Sequence, residues 1–170
     1  MTGRLILLRH AKSAWPPDVP DHDRPLGARG RRDAPAAGRW LRENKHIPDL
    51  VVCSTAVRTR ETWELAAEAL APRAQFPVAY DERLYAATAR AMLDVLRETP
   101  DSVRTLLLVG HNPGIQDLTL RLAGGAGSDA LLRAADKFPT SALAVLTSAA
   151  PWSALTSDEA HLDDFAIPRG

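Results

Sequence analysis

Two short apolar runs that each stop at a histidine constrain this chain more than any other feature. Leu5-Ile6-Leu7-Leu8 leads into Arg9-His10, and Leu106-Leu107-Leu108-Val109 leads into Gly110-His111. A continuous run of four large aliphatic residues reads as a buried parallel strand, because helices cover both faces of such a strand. Each histidine therefore falls just beyond a strand end. In an open α/β sheet ligands bind along that edge, so a titratable nucleophile beside a fixed cation is well placed there for chemistry. The other three histidines, His22, His46 and His161, lie in polar surroundings and read as surface residues.

The 170 residues suit a single domain, 1–170, with a core that needs no disulfide or metal staple. A formal net charge of zero with 25% charged residues argues against a surface built for nucleic acid or anionic membrane, and neither is expected as a partner. The single cysteine, Cys53, excludes an intramolecular disulfide or a Cys-based zinc cluster and fits a reducing cytoplasm, the expected location. It closes the apolar run Leu50-Val51-Val52, so its thiol reads as buried and structural. The stretch Met1 to Arg4 enters the first strand without the pattern of a signal peptide, and no segment has the length of a membrane span.

Between the histidines the chain alternates strands and helices. Trp15 to Leu26 carries four prolines and must be a surface loop, since proline fixes φ and lacks a backbone donor. Its Asp21-His22-Asp23 cluster is poorly arranged to bind metal, because adjacent residues on a loop do not converge; a rim meeting the substrate is the better reading. Gly27 to Asn44 is helical in pattern but interrupted by Pro35. A short turn from Ala28, then a helix capped by Asp33 with Pro35 in its first turn, resolves the conflict. Leu50 to Cys53 is a strand, and Ser54 or Thr55 caps the helix that follows it to about Leu70. Arg58 in that helix's first turn opposes the dipole, a local misfit that marks it as a ligand-holding residue; Arg60 reads equally well as solvent-facing. Further strands are expected at 77–80, 105–109 and 142–147, helices at 89–98 and about 115–122, weak helix before Asp136, and edge strands at 152–156 and 160–167.

Strand ends thus supply Arg9 and His10, Ser54 and Arg58, Glu82, and His111. Such a cationic pocket at a helix N-terminus suits a phosphoryl group, because guanidinium forks match phosphate oxygens and keep their charge at neutral pH.

These residues carry a family resemblance. Leu8-Arg9-His10-Ala11 resembles the Arg-His-Gly signature of the histidine phosphatase superfamily, which includes the cofactor-dependent phosphoglycerate mutases. Ser54 to Arg58 with Thr62 resembles its second arginine motif, and Gly110-His111-Asn112 its second histidine motif. The short length, Arg24-Pro25-Leu26 and Phe138-Pro139-Thr140-Ser141-Ala142 look most like the small phosphohistidine phosphatases of the SixA type. The resemblance implies a three-layer α/β fold of the phosphoglycerate mutase type, with helices on both faces of a mostly parallel sheet. It implies that His10 is the nucleophile, forming a phosphohistidine that water hydrolyses, with Arg9, Arg58 and His111 on the phosphoryl oxygens, Asn112 in support, and no metal or cofactor. Ser13, like Lys12, is a candidate phosphate contact. Ala11 departs from the signature, so the turn after His10 must avoid angles that only glycine reaches freely.

The general acid of larger members is matched by position only at Glu82, which reads equally well as a surface carboxylate in Asp81-Glu82-Arg83. A leaving imidazole, with a conjugate acid near neutrality, has less need of such an acid than an alkoxide does. The expected substrate is accordingly phosphohistidine or another phosphorylated protein side chain, reached through an open pocket. A small-molecule phosphatase or mutase, a non-catalytic phosphate-binding module and a metal-dependent hydrolase are the rival readings.

Overall fold

The computed structural model describes residues 3–125 and 127–170, so the expectation for Met1 and Thr2 lies outside the described residues. Six strands form one sheet in the order β3-β2-β4-β1-β5-β6: β1 (Gly3–Arg9), β2 (Leu50–Ser54), β3 (Val78–Asp81), β4 (Thr105–Gly110), β5 (Leu143–Ser148) and β6 (His161–Ala166). The strands β1 to β4 run parallel, and β5 is antiparallel to both of its neighbours, β1 and β6.

Alternation along the strands explains the continuous apolar runs. Ile6, Leu8, Leu107 and Val109 pack on one face with Ala37 and Leu41 of α1 (Ala28–Glu43) and Trp63 and Ala66 of α2 (Val57–Leu70). Leu5, Leu7, Leu106 and Leu108 point the other way. They pack against α3 (Ala89–Arg97), α4 (Gly114–Leu122) and α5 (Asp129–Asp136). Each face is covered, so each position must be apolar. The result is the expected three-layer, mostly parallel α/β architecture.

Register then fixes the site. Arg9 pairs with Gly110 and Cys53 with Val109, which brings His10 and His111 level at the carboxyl edge with Ser54 one residue short of them. The backbone N–H of His10 donates to the Gly110 carbonyl at 3.0 Å. The connection after β1 leads to a helix on one face and that after β4 to a helix on the other, so a crevice opens between the two histidines.

Three local expectations are corrected. First, α1 is one helix with Pro35 inside it. Proline removes one helical hydrogen bond, but close packing on α2 holds the axis: a Cβ on Gly38 would lie 2.1 Å from the Ala66 carbonyl oxygen. Asp33 caps nothing; it is 1% exposed and accepts from the Gly170 N–H at 3.0 Å. Second, α2 begins at Val57 after an Ala56 N-cap that supplies no side-chain bond, so neither Ser54 nor Thr55 is the cap. Third, Trp152–Ala154 is a 3-10 turn, where the buried Trp152 donates its indole N–H to the Val103 carbonyl at 2.8 Å. The other edge strand forms, as β6.

Candidate active site

His10 is buried, and its Nδ1 lies 2.7 Å from the Ala11 carbonyl oxygen. A carbonyl only accepts, so this bond places the ring proton on Nδ1 and leaves the Nε2 lone pair free. Burial, together with His111, Arg58 and Arg9 close by, lowers the His10 pKa to about 3, although the bond to Ala11 works in the opposite direction. The imidazole is therefore neutral at physiological pH.

The backbone around it is pinned from several elements. Arg9 N–H donates to Ala142, and the Ser141 N–H is shared between the Arg9 and His10 carbonyls at 3.1 and 3.0 Å. Ser141 sits at φ 63°, a left-handed angle that a non-glycine residue adopts only when its surroundings impose it. Ala11 is not among the residues with positive φ, so its side chain fits, fully buried. Its N–H donates to Thr62 Oγ1 at 2.9 Å, and that hydroxyl donates to the Arg58 carbonyl at 2.7 Å. Thr62 thereby has a role without a ligand: it ties α2 to the histidine turn.

His111 is also buried, with its ring centroid 5.3 Å from that of His10. Its Nε2 lies 2.8 Å from the Ser54 hydroxyl, and burial, then Arg58, lowers its pKa to about 4. Arg9 donates from Nη1 to the Phe138 carbonyl at 2.8 Å, and Asn112 donates from Nδ2 to the same oxygen at 3.1 Å. Arg58 is buried and donates from Nη1 to the Asp21 carbonyl (2.7 Å) and from Nη2 to Asp21 Oδ2 (3.1 Å). The Nε atoms of both arginines are buried without a hydrogen-bond partner. Two fixed cations held side by side favour an anionic ligand.

Arg9, His10, Arg58, His111, Ser13 and Asn112 all line one cavity of about 290 Å3, as does Lys12. Glu82 does not: it is exposed on the turn Glu82–Leu84 after β3, and Tyr85, three residues on, lines the cavity in its place. The physical reason is that this single turn rotates the chain, so that the residue carried to the edge is the fourth after the strand. Ser13 accepts from Arg24 Nη1 at 2.8 Å, which marks it as part of the wall. Arg60 is exposed, with its guanidinium 4.5 Å from the Tyr80 ring centroid.

Trp15, Asp21 and Arg24 line the cavity from the loop expected to form its rim, and Tyr85 lines it without having been expected there. Asp21 carries a dense network. Oδ1 accepts from Arg24 Nε at 3.0 Å, and Oδ2 accepts from Arg58 and from the Tyr85 hydroxyl. The Tyr85 bond, with help from Arg24 and Arg58, holds its carboxyl well below the usual carboxylate range. Arg24 packs beneath the exposed Trp15, 3.5 Å from its ring centroid. The signal for this group was the loop's charge cluster beside Arg24-Pro25-Leu26. His22 is also misjudged by its polar neighbours: half-buried, it lies 2.9 Å from Thr55 Oγ1 and edge-on to Tyr85. His46 is half-buried against Trp40, and His161 is exposed. Asp21 turns to Arg24, Arg58 and Tyr85 while His22 Nδ1 lies 3.3 Å from Asp23 Oδ1, and among the described residues no three His, Cys, Asp or Glu side chains could hold a metal. Cys53 is buried, and burial raises its thiol pKa to about 12, as befits an inert core residue. Among the described residues no helix is long and apolar enough to cross a membrane.

Comparison with known proteins places this geometry. The model of the histidine phosphatase superfamily (branch 1) matches residues 5–92. An uncharacterized protein of Mycobacterium tuberculosis is 44% identical over 164 residues, 95% of this chain and 100% of that one. A structure from Nakamurella multipartitia, provisionally named phosphohistidine phosphatase SixA, superposes with a TM-score of 0.87 and 32% identity over 99% of this chain and 97% of that one. One from Agrobacterium tumefaciens with the same provisional name gives 0.80 and 32% over 98% of both chains. The architecture is also that of phosphoglycerate mutases, as the motifs implied.

Proposed function

The chain belongs to the histidine phosphatase superfamily, and from that premise we propose that it is a metal-independent phosphatase in which His10 takes the phosphoryl group from a phosphorylated protein side chain, phosphohistidine foremost. The observation that carries this reading is the His10 Nδ1–H bond to Ala11, which leaves a neutral, fixed imidazole with its Nε2 lone pair available at the cavity. In the first step Nε2 attacks phosphorus, and the bond to the leaving group breaks with its electron pair going to that group. In the second, water attacks the phosphohistidine, loses a proton, and releases inorganic phosphate and free His10. Arg9 and Arg58, which line the cavity, meet the phosphoryl oxygens with positive charge. The hydrogen bond between the Ser54 hydroxyl and His111 Nε2 fixes the second imidazole at the cavity wall as a neutral polar group. Asn112 steadies the Phe138 carbonyl that holds Arg9.

The choice of leaving group follows from what could protonate it. Among the described residues Asp21 is the one carboxyl lining the cavity and is held ionised, and Glu82 lies outside. His10 and His111 titrate near 3 and 4. None is a proton donor at neutral pH, which disfavours an alkoxide and favours a nitrogen leaving group that needs little help. This supports phosphohistidine over an alkyl phosphomonoester. The reading takes residues 1–170 as one domain working in the cytoplasm. Its test is hydrolysis of an aryl phosphate and of a phosphoimidazole before and after His10→Ala, with and without chelator. Loss of both activities in the variant and indifference to chelation are expected; a variant as active as the parent would refute the nucleophile.

A further inference from the structure

Among the described residues, four basic side chains line the cavity, Arg9, Lys12, Arg24 and Arg58, with a single carboxylate, Asp21. A carboxylate beside the oxyanion site works against phosphate binding, and nothing in the chemistry of attack on phosphorus requires one there. Yet this one is built in. Its two oxygens and its backbone carbonyl accept from Arg24, Arg58 and the Tyr85 hydroxyl, three side chains from three separate segments.

The contacts on Arg58 are informative. Asp21 takes one donor from each terminal nitrogen, while the buried Nε–H has no partner. Arg58 lines the cavity and each terminal nitrogen carries a second N–H, so the guanidinium can hold Asp21 and an oxyanion at once. Two anions on one guanidinium repel each other and divide its attraction.

We propose that Asp21 is a positioning residue that tempers the phosphate clamp: by holding the outer end of Arg58 as a resident anion, it weakens the pocket's grip on inorganic phosphate so that product leaves. The proposal rests on the cavity being a phosphate site, as above. A hydrolase gains nothing from product that stays, and a dianion among four cations in a partly buried pocket would stay. The Asp21 side chain is itself 52% exposed, so exchanging it disturbs no core.

The test is competitive inhibition of aryl phosphate hydrolysis by inorganic phosphate. Asp21→Asn and Asp21→Ser both remove the charge, and the serine does so without setting a second donor against Arg24. Each is expected to lower the inhibition constant for phosphate about tenfold, a size consistent with one near charge at a partly solvated site. Tighter binding is not what structural damage yields, since a loosened Arg58 would bind phosphate more weakly. Inhibition constants unchanged or raised in both variants would overturn the role of Asp21. Parent protein that phosphate inhibits no better than Arg58→Ala would instead remove the phosphate site on which the role depends.

Discussion

His10 can attack only as a neutral imidazole, and burial is the main cause of its neutrality. Nuclear magnetic resonance of the imidazole nitrogens should find His10 as the Nδ1–H tautomer at pH 5.5, with no titration of His10 or His111 between pH 7 and 5. Midpoints near 6.5 for both would contradict the buried, cation-flanked environment. Ser54 supplies the partner for His111 Nε2, and Ser54→Ala leaves that buried nitrogen unpaired, a loss of about 1–3 kcal/mol. The expected result is a fall in kcat/KM for aryl phosphate of roughly tenfold to a hundredfold. Of these residues, His10, Arg9, Arg58 and His111 were legible because each stands at or just past a strand end. Asp21 was not. Its significance depends on Arg58 and Tyr85, which are far away in the chain, and nothing in the local run Pro20 to Arg24 announces them.

Secondary-structure elements were readable where burial on two faces left a continuous apolar run, and misread where tertiary contact overrode local preference. Pro35 reads as a break until the fit of α1 on α2 is known, and Trp152 to Thr156 reads as a strand until the indole finds the Val103 carbonyl. Two glycines of α1 separate packing from function. Gly38→Ala places a Cβ 2.1 Å from the Ala66 carbonyl oxygen, backbone that cannot swing aside. Chemical denaturation should show a loss of about 1–3 kcal/mol, with turnover of the folded protein retained. Gly30→Ala places its Cβ 2.1 Å from the Lys12 carbonyl oxygen, two residues past His10. It should lower stability by a similar amount and also depress turnover, because the histidine turn must move.

At the scale of the molecule, strand order creates the site: β1 and β4, about a hundred residues apart, become neighbours, and their histidines meet. The order itself was not legible from periodicity, which cannot say which strands adjoin; the motif resemblance implied a mostly parallel sheet without its order. The same burial links folding to pH. His10 and His111 have folded-state pKa values of about 3 and about 4, below the ordinary 6.5, so the unfolded chain takes up protons first as pH falls. Their contribution to stability is therefore present above pH 6.5 and lost as pH falls from there towards 3. Thermal melting followed from pH 7 to 4 should show a declining midpoint that His10→Ala makes shallower. The most direct test of His10 as nucleophile is rapid quenching of the protein during turnover of a phosphoimidazole, followed by intact-mass and peptide analysis under alkaline conditions. One acid-labile phosphoryl group on His10, absent from His10→Ala, is the predicted result; turnover with no phosphorylated intermediate, or one that persists in the variant, would contradict it.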